Sequence, residues 1–195
     1  MTAGTTRRGF LALAGAFTAV AAGTAATPAM AMVHTHRRLH AAPHVPERAV
    51  SMVNIHTRET AQVVYWKHGH YQPAAMRHIA HLMRDYHTNQ THHMDPKLLD
   101  LLHDLHTRLG TSEPFHLISG YRCPATNAWL ARRSGGVAAN SLHMRGQAAD
   151  IQAPGVSLET LHNTALAMAR GGVGYYPRSD FVHVDTGRIR EWDYG

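Results

Sequence analysis

His143 and Asp150 stand with six residues between them, and a later His183 is flanked by two carboxylates, Asp180 and Asp185. Imidazole nitrogen and carboxylate oxygen are donors that a borderline-soft divalent cation accepts. Three protein ligands leave a fourth position open, as a catalytic zinc site requires. The expectation is that His143, Asp150 and His183 hold one zinc ion. The spacing alone is weak support, because the chain contains 18 histidines and some His–Asp pair falls at almost any interval. The surroundings strengthen it. Gly146 permits a tight turn between the first two ligands. Ala148 and Ala149 are small, and the run 148–151 reads as a buried strand that aims Asp150 to one face. Val182 and Val184 alternate with His183 and Asp185, a period-two pattern that puts His183 and Asp185 on one face of a strand.

The run Ser119-Gly120-Tyr121-Arg122, then Ser141, His143, Gly146, Ala148 and Asp150 at their spacing, then the late His183, carry a family resemblance. Together they resemble the zinc D-Ala-D-Ala carboxypeptidases and murein endopeptidases of the hedgehog/DD-peptidase fold. The stretch 115–192 is most similar to the exported murein endopeptidase K branch, and the earlier half is similar only loosely. The resemblance implies a zinc peptidase acting on peptidoglycan, as endopeptidase rather than carboxypeptidase. It leaves open whether the bond is D-Ala to diaminopimelate or diaminopimelate to diaminopimelate. It also implies that Arg122 is an active-site arginine. Placed just past a strand end, Arg122 can stabilise an oxyanion or grip a substrate carboxylate through its fork of donors; the alternative is a surface arginine.

In such a site zinc lowers the pKa of a water from about 15.7 to about 7 and polarises the scissile carbonyl. A carboxylate then carries the water's proton to the leaving amine. Two residues compete for that role. Asp180 occupies the acid position of the family's acid-x-x-His motif, where Glu is usual; aspartate is one methylene shorter, and about 1 Å of misplacement can cost about a hundredfold. Asp185 is either the base or a partner that orients a ligand. Asp180 is the first choice, and its alternative is a plain turn residue.

The elements that must position these groups follow from pattern. Two β-rich runs, 49–55 and 61–66, read as a hairpin occupying 49–70. Pro73 opens a helix ending near Tyr86. Asp95 caps a second helix that Pro96 opens and Gly110 stops. A strand at 115–118 leads to Arg122, and Pro124 starts a short helix with Trp129 and Leu130 in the core. The basic run 132–140 is a loop that covers the site or simply connects. Ser157 caps a helix that Gly171 and Gly172 end; strands at 173–176 and 181–185 follow, joined by a turn. The expected fold is α+β, with a small, mostly antiparallel sheet and helices on one side. Residues 71–195 form its zinc peptidase domain.

The first residues have a different character. Arg7-Arg8-Gly9-Phe10-Leu11 heads an Ala/Gly/Thr-rich stretch that is too short for a membrane span, and no acidic residue precedes Glu47. This reads as a twin-arginine signal, cleaved after Ala31, that sends the protein to the periplasm; the alternative is an uncleaved anchor. Residues 32–48, rich in His, Pro, Ala and Arg, read as a linker. Removing 1–31 takes away two arginines and lowers the formal net charge from +6 to +4. That modest charge suits an anionic wall polymer and gives little support to nucleic-acid binding. Cys123 is the only cysteine, so no intramolecular disulfide forms.

Seven histidines fall between 78 and 106, with His78/His81 and His103/His106 one helical turn apart. They read as solvated polar-face residues that make the protein more basic in acid. Two other functions compete with the enzyme: a non-catalytic wall-binding or metal-binding module on the same fold, and a His-rich metal buffer.

Overall fold

The computed structural model describes residues 46–134 and 137–195. The expected signal at 1–31 and most of the linker lie outside the described residues, as do Gly135 and Gly136 of the basic loop.

β-branched and aromatic residues fill the first described segment, and they form β1 (Arg48–Asn54) and β2 (Thr60–Lys67), the expected hairpin. A two-residue strand, β3 (His70–Tyr71), pairs with the far edge of β2. α1 (Pro73–Leu82) starts at its proline but ends before Tyr86, with Met83 as its C-cap. α2 (Pro96–Leu109) is bounded as its sequence dictates: the Asp95 carboxylate accepts from the Lys97 N–H, and Gly110 adopts a left-handed φ of 64°. β4 (Phe115–Ser119) and α3 (Pro124–Arg133) follow. Then come a short 3-10 helix (Leu142–Arg145), β5 (Ala148–Gln152), α4 (Leu158–Ala167), β6 (Gly172–Tyr176) and β7 (Phe181–Asp185). The last strand, β8 (Arg190–Asp193), has a single apolar residue, Trp192, and no sequence expectation.

All eight strands join one sheet in the order β3-β2-β1-β4-β5-β7-β6-β8. It is mixed and mostly antiparallel; β1 with β4 and β6 with β8 are the parallel pairs. The α+β expectation holds, but the sheet is larger than expected. The hairpin enters it through β1–β4, and β8 extends it along β6. α2 rests on β1 and touches α4, which rests on β6 and β7. Between them lie Met52, Tyr65, Leu98, Leu102, Phe115 and Ile151, all fully buried. Trp129, expected in the core, is 38 % exposed and lies under the Arg133 guanidinium instead.

One polar knot ties the hairpin to α2. Asp100, on the otherwise apolar face of α2, accepts from Arg48 at 2.7 Å, Tyr65 at 3.0 Å and Tyr71 at 2.8 Å. Burial pushes this carboxyl up, but those three donors outweigh it and hold it below the usual carboxylate range. His103 and His106 also serve the packing. Each bonds a backbone carbonyl at 2.8 Å, of Ala49 and Glu113, so these two are structural rather than solvated.

Asp100→Asn turns three good acceptances into an imperfect set and is expected to cost roughly 1–3 kcal/mol in urea unfolding. The stability that the carboxylate contributes is present above the unfolded pKa of about 3.9 and is lost as pH falls through the depressed folded value. The variant should therefore show a shallower loss of stability in acid than the parent; an identical acid profile would remove Asp100 from this role.

Candidate active site

β5 and β7 lie side by side, and the register sets Asp150 directly opposite His183. Cross-strand partners on one face have Cβ atoms about 5 Å apart, so the two side chains must meet. His143 arrives from the 3-10 helix just before β5. Ser141 caps that helix through the His143 N–H, and Gly146 ends it at a φ of 65°. A Cβ on Gly146 would sit 2.2 Å from the His93 carbonyl oxygen, so the turn between the first two ligands does require glycine.

The three side chains converge. His143 Nε2 is 3.1 Å from Asp150 Oδ1, His183 Nδ1 is 2.8 Å from the same oxygen, and the two nitrogens are 3.2 Å apart. All three residues are buried. Among the described residues this is the one group of three His, Cys, Asp or Glu side chains close enough to share a metal ion.

The outer partners decide which atoms carry hydrogen. His143 Nδ1 lies 2.7 Å from the Gly120 carbonyl oxygen, which only accepts, so Nδ1 holds the hydrogen and Nε2 presents a lone pair. His183 Nε2 lies 3.0 Å from Asp185 Oδ2 and donates to it, which leaves Nδ1 as a lone pair. Two imidazole lone pairs and a carboxylate oxygen thus face one point. Zinc–donor bonds of about 2.0–2.1 Å at tetrahedral angles put donors about 3.3 Å apart, close to the separations found here. The donor set fits zinc in chemistry and in spacing.

Burial pushes the His143 imidazole down and so favours its neutral form. His183 is raised despite burial, because Asp150 and Asp185 bracket it and favour a proton. A cation at the point of convergence competes with that proton. Burial pushes Asp150 up, but His143 and His183 outweigh it and hold the carboxyl far below the usual range.

Each ligand has a support. Arg122, itself buried, donates from Nη2 to Asp150 Oδ2 at 3.1 Å and to Ser119 Oγ at 3.2 Å, and from Nη1 to Asn127. It is not a surface arginine; it locks the Asp150 carboxylate. The turn that carries Gly120 and Arg122 is itself fastened. Tyr121 N–H donates to the Met83 carbonyl at 2.7 Å, and Cys123 N–H donates to Asp85 at 2.9 Å.

Asp185 is fully buried and accepts from His183, from both terminal nitrogens of Arg190, and from the Gly172 and Gly187 N–H groups. Burial pushes it up, yet those donors hold it far below the usual range. Its lone pairs are spoken for, so it has none to offer a water.

Asp180 lies elsewhere. It caps the 3-10 turn Pro177–Ser179 in a left-handed conformation and accepts from Gln152 Nε2 at 2.9 Å. It borders a smaller depression with His116 and Gln152 and does not line the cavity over His143, Asp150 and His183. That cavity holds about 600 Å³, and its walls include Arg122, Arg178 and Arg190. Asp150 is the one acidic side chain among its described lining residues. Trp192 and Tyr176, to which the sequence assigned no role at the site, also face it. Trp192 sits 5.1 Å from the His183 ring, and its Nε1 donates to the Tyr176 hydroxyl at 2.9 Å. A Cβ on Gly174 would meet Trp192 at 2.5 Å, so that glycine makes room for the indole.

Asp185→Asn removes the charge that orients His183 and sets an amide nitrogen among donors. Zinc affinity should fall roughly 10–100-fold, read by competition with a chelator below the unfolding transition. Unchanged affinity would make Asp185 a packing residue only.

A family model described as peptidoglycan L,D-endopeptidase MepK matches residues 42–192. Peptidoglycan L,D-endopeptidase MepK of Escherichia coli K12 is 41% identical over 186 residues, 95% of this chain and 96% of the relative. The probable peptidoglycan L,D-endopeptidase MepK of Haemophilus influenzae is 41% identical over 146 residues, 74% of this chain and 78% of the relative. On this similarity the chain belongs to the peptidoglycan L,D-endopeptidase MepK family.

Proposed function

We propose that this chain is a zinc endopeptidase that cuts peptide crosslinks of peptidoglycan in the periplasm. The observation that carries the reading is the convergence of His143 Nε2, Asp150 Oδ1 and His183 Nδ1, lone pairs inward, on a cavity open to substrate. The relatives' name favours an L,D bond. The diaminopimelate-to-diaminopimelate crosslink is such a bond, because an L-centre carbonyl is joined to a D-centre amine. The D-Ala-to-diaminopimelate crosslink joins two D-centres and is the second choice. The leading Arg7-Arg8 run supports export by the twin-arginine route. No helix among the described residues is long and apolar enough to cross a membrane. The His-x6-Asp spacing and the late His support the hedgehog/DD-peptidase fold.

Zinc held by this set supplies Lewis acidity, acidifying a water and polarising a peptide carbonyl. The protein's own groups do the rest. The Gly120 carbonyl and Asp185 hold each imidazole in the tautomer that ligates, and Arg122 fixes the outer oxygen of Asp150. Arg178 in the cavity wall suits a free carboxylate of a stem peptide. In this reading neither Asp180 nor Asp185 is the base: Asp180 is outside the cavity, and Asp185 is saturated and buried.

The test is incubation of the purified chain with peptidoglycan sacculi, with muropeptides identified by mass. A diaminopimelate-to-diaminopimelate crosslinked species should disappear, with chelator blocking the loss and zinc restoring it. His143→Ala, Asp150→Ala and His183→Ala should each abolish both cleavage and the bound zinc. Asp180→Ala should keep kcat within about threefold of the parent. One bound zinc with no change in any muropeptide would move the assignment to a wall-binding module. Several zinc ions per chain, lost with the histidines before Gly110, would favour the metal buffer.

A further inference from the structure

The peptidase reading needs a donor for the charge that develops on the attacked carbonyl oxygen, and Arg178, the exposed arginine of the cavity wall, is assigned to a substrate carboxylate. Arg122 would serve, but its guanidinium is buried and already committed to Asp150, Ser119 and Asn127. Arg190 is committed to both oxygens of Asp185. Tyr176 is differently placed. It lines the same cavity as His143, Asp150 and His183. Its ring is fixed between two others, 4.5 Å from Phe181 at 18° and 5.7 Å from Tyr194 at 21°.

The hydroxyl is fixed as well. An indole N–H only donates, so in the Trp192–Tyr176 contact the phenol oxygen must accept. Tyr176 therefore keeps its own hydrogen, and among the described residues no protein group accepts it. Trp192 in turn is held by the Arg190 guanidinium 4.9 Å from its ring centre, and it packs on His183. The same arginine that anchors Asp185 thus helps to anchor the indole that holds the phenol. Burial pushes the Tyr176 phenol up, and Asp150 adds to that, so the group is a neutral donor at neutral pH.

We infer that Tyr176 is a catalytic residue of this site, its hydroxyl donating a hydrogen bond to the oxygen of the carbonyl under attack. No bond to that hydrogen breaks. The phenol stays a phenol, and the bond strengthens as charge grows on the oxygen, which is the condition for lowering the barrier rather than merely binding substrate. Trp192 is the positioning residue that occupies an acceptor site of the phenol and turns its hydrogen away from the indole. The inference rests on the peptidase reading.

The test compares the parent with Tyr176→Phe and Trp192→Phe, using a purified crosslinked dimer and a phosphinate mimic of its tetrahedral state. Tyr176→Phe keeps the ring stack. It should lower kcat by about 10²-fold or more while leaving KM within about threefold. It should also weaken the phosphinate by a factor close to the kcat loss, in calorimetry, with bound zinc and the unfolding midpoint unchanged. Trp192→Phe should shift both quantities in the same direction by less. Retained kcat in Tyr176→Phe would overturn the inference and leave the peptidase reading intact. So would a kcat loss without loss of phosphinate affinity. A parent that cleaves no dimer with zinc bound would overturn the peptidase reading and the inference with it.

Discussion

Three lone pairs that point at one another in a buried place are the constraint on which the site depends. His143 Nε2, Asp150 Oδ1 and His183 Nδ1 stand within 3.2 Å of each other, and the residues behind them deny the imidazoles any tautomer that would relieve the contact. Polar atoms left unsatisfied in such a place cost roughly 1–3 kcal/mol each, more when charged. A proton on His183 relieves its contact with Asp150, and a divalent cation in its place would relieve all three at once. The outer partners therefore matter as much as the three donors. The Gly120 carbonyl, the Asp185 carboxylate and the Arg122 guanidinium each hold one of the three side chains in a single orientation.

The sheet makes this arrangement rigid. Asp150 and His183 are opposed in the β5–β7 register, and β7 also pairs with β6, so His183 is fixed from both sides. A one-residue slip would send Asp150 to the other face and bring Ala149 in its place. The Gly120 turn sits beyond β4, tied to the end of α1 by Tyr121 and to Asp85 by Cys123. A Cβ on Gly120 would lie 2.4 Å from the Met83 carbonyl oxygen, so this approach is as close as backbone allows. Asp85 and the hairpin are remote from the chemistry, yet they hold the elements that hold the ligands. Domain boundaries drawn from composition do not show this, because β1 and β4 share a ladder.

The cavity's described walls carry three arginines against one acidic side chain, Asp150; Arg122 is paired with Asp150 and Arg190 with Asp185. The histidine surplus has no comparable focus. His78, His81, His87, His92 and His93 are exposed and spread along the surface, while His103 and His106 secure backbone carbonyls. A metal buffer would need several convergent groups, and among the described residues only one is present.

Much of the chain could be read without a structure, where the signal is local. Asp95, Gly110 and Ser157 set helix ends because capping is an affair of adjacent residues. The alternation 182–185 and the glycine at 146 placed His183 and the turn after His143 for the same reason. What local pattern could not rank was Asp180 against Asp185. Both are short carboxylates beside His183, and the difference arises from distant residues: Gln152 takes one, Arg190 and Gly172 the other. β8 was invisible because four residues with one apolar side chain become a strand only by pairing with β6. Trp192 and Tyr176 were missed with it, since their meeting depends on that parallel pairing. Local pattern marked His143, Asp150 and His183 as candidate donors and located the strands that hold the last two. Which carboxylate supports His183 and which stands apart follows from the folded chain, because lone pairs are assigned by partners that it brings together across the sheet.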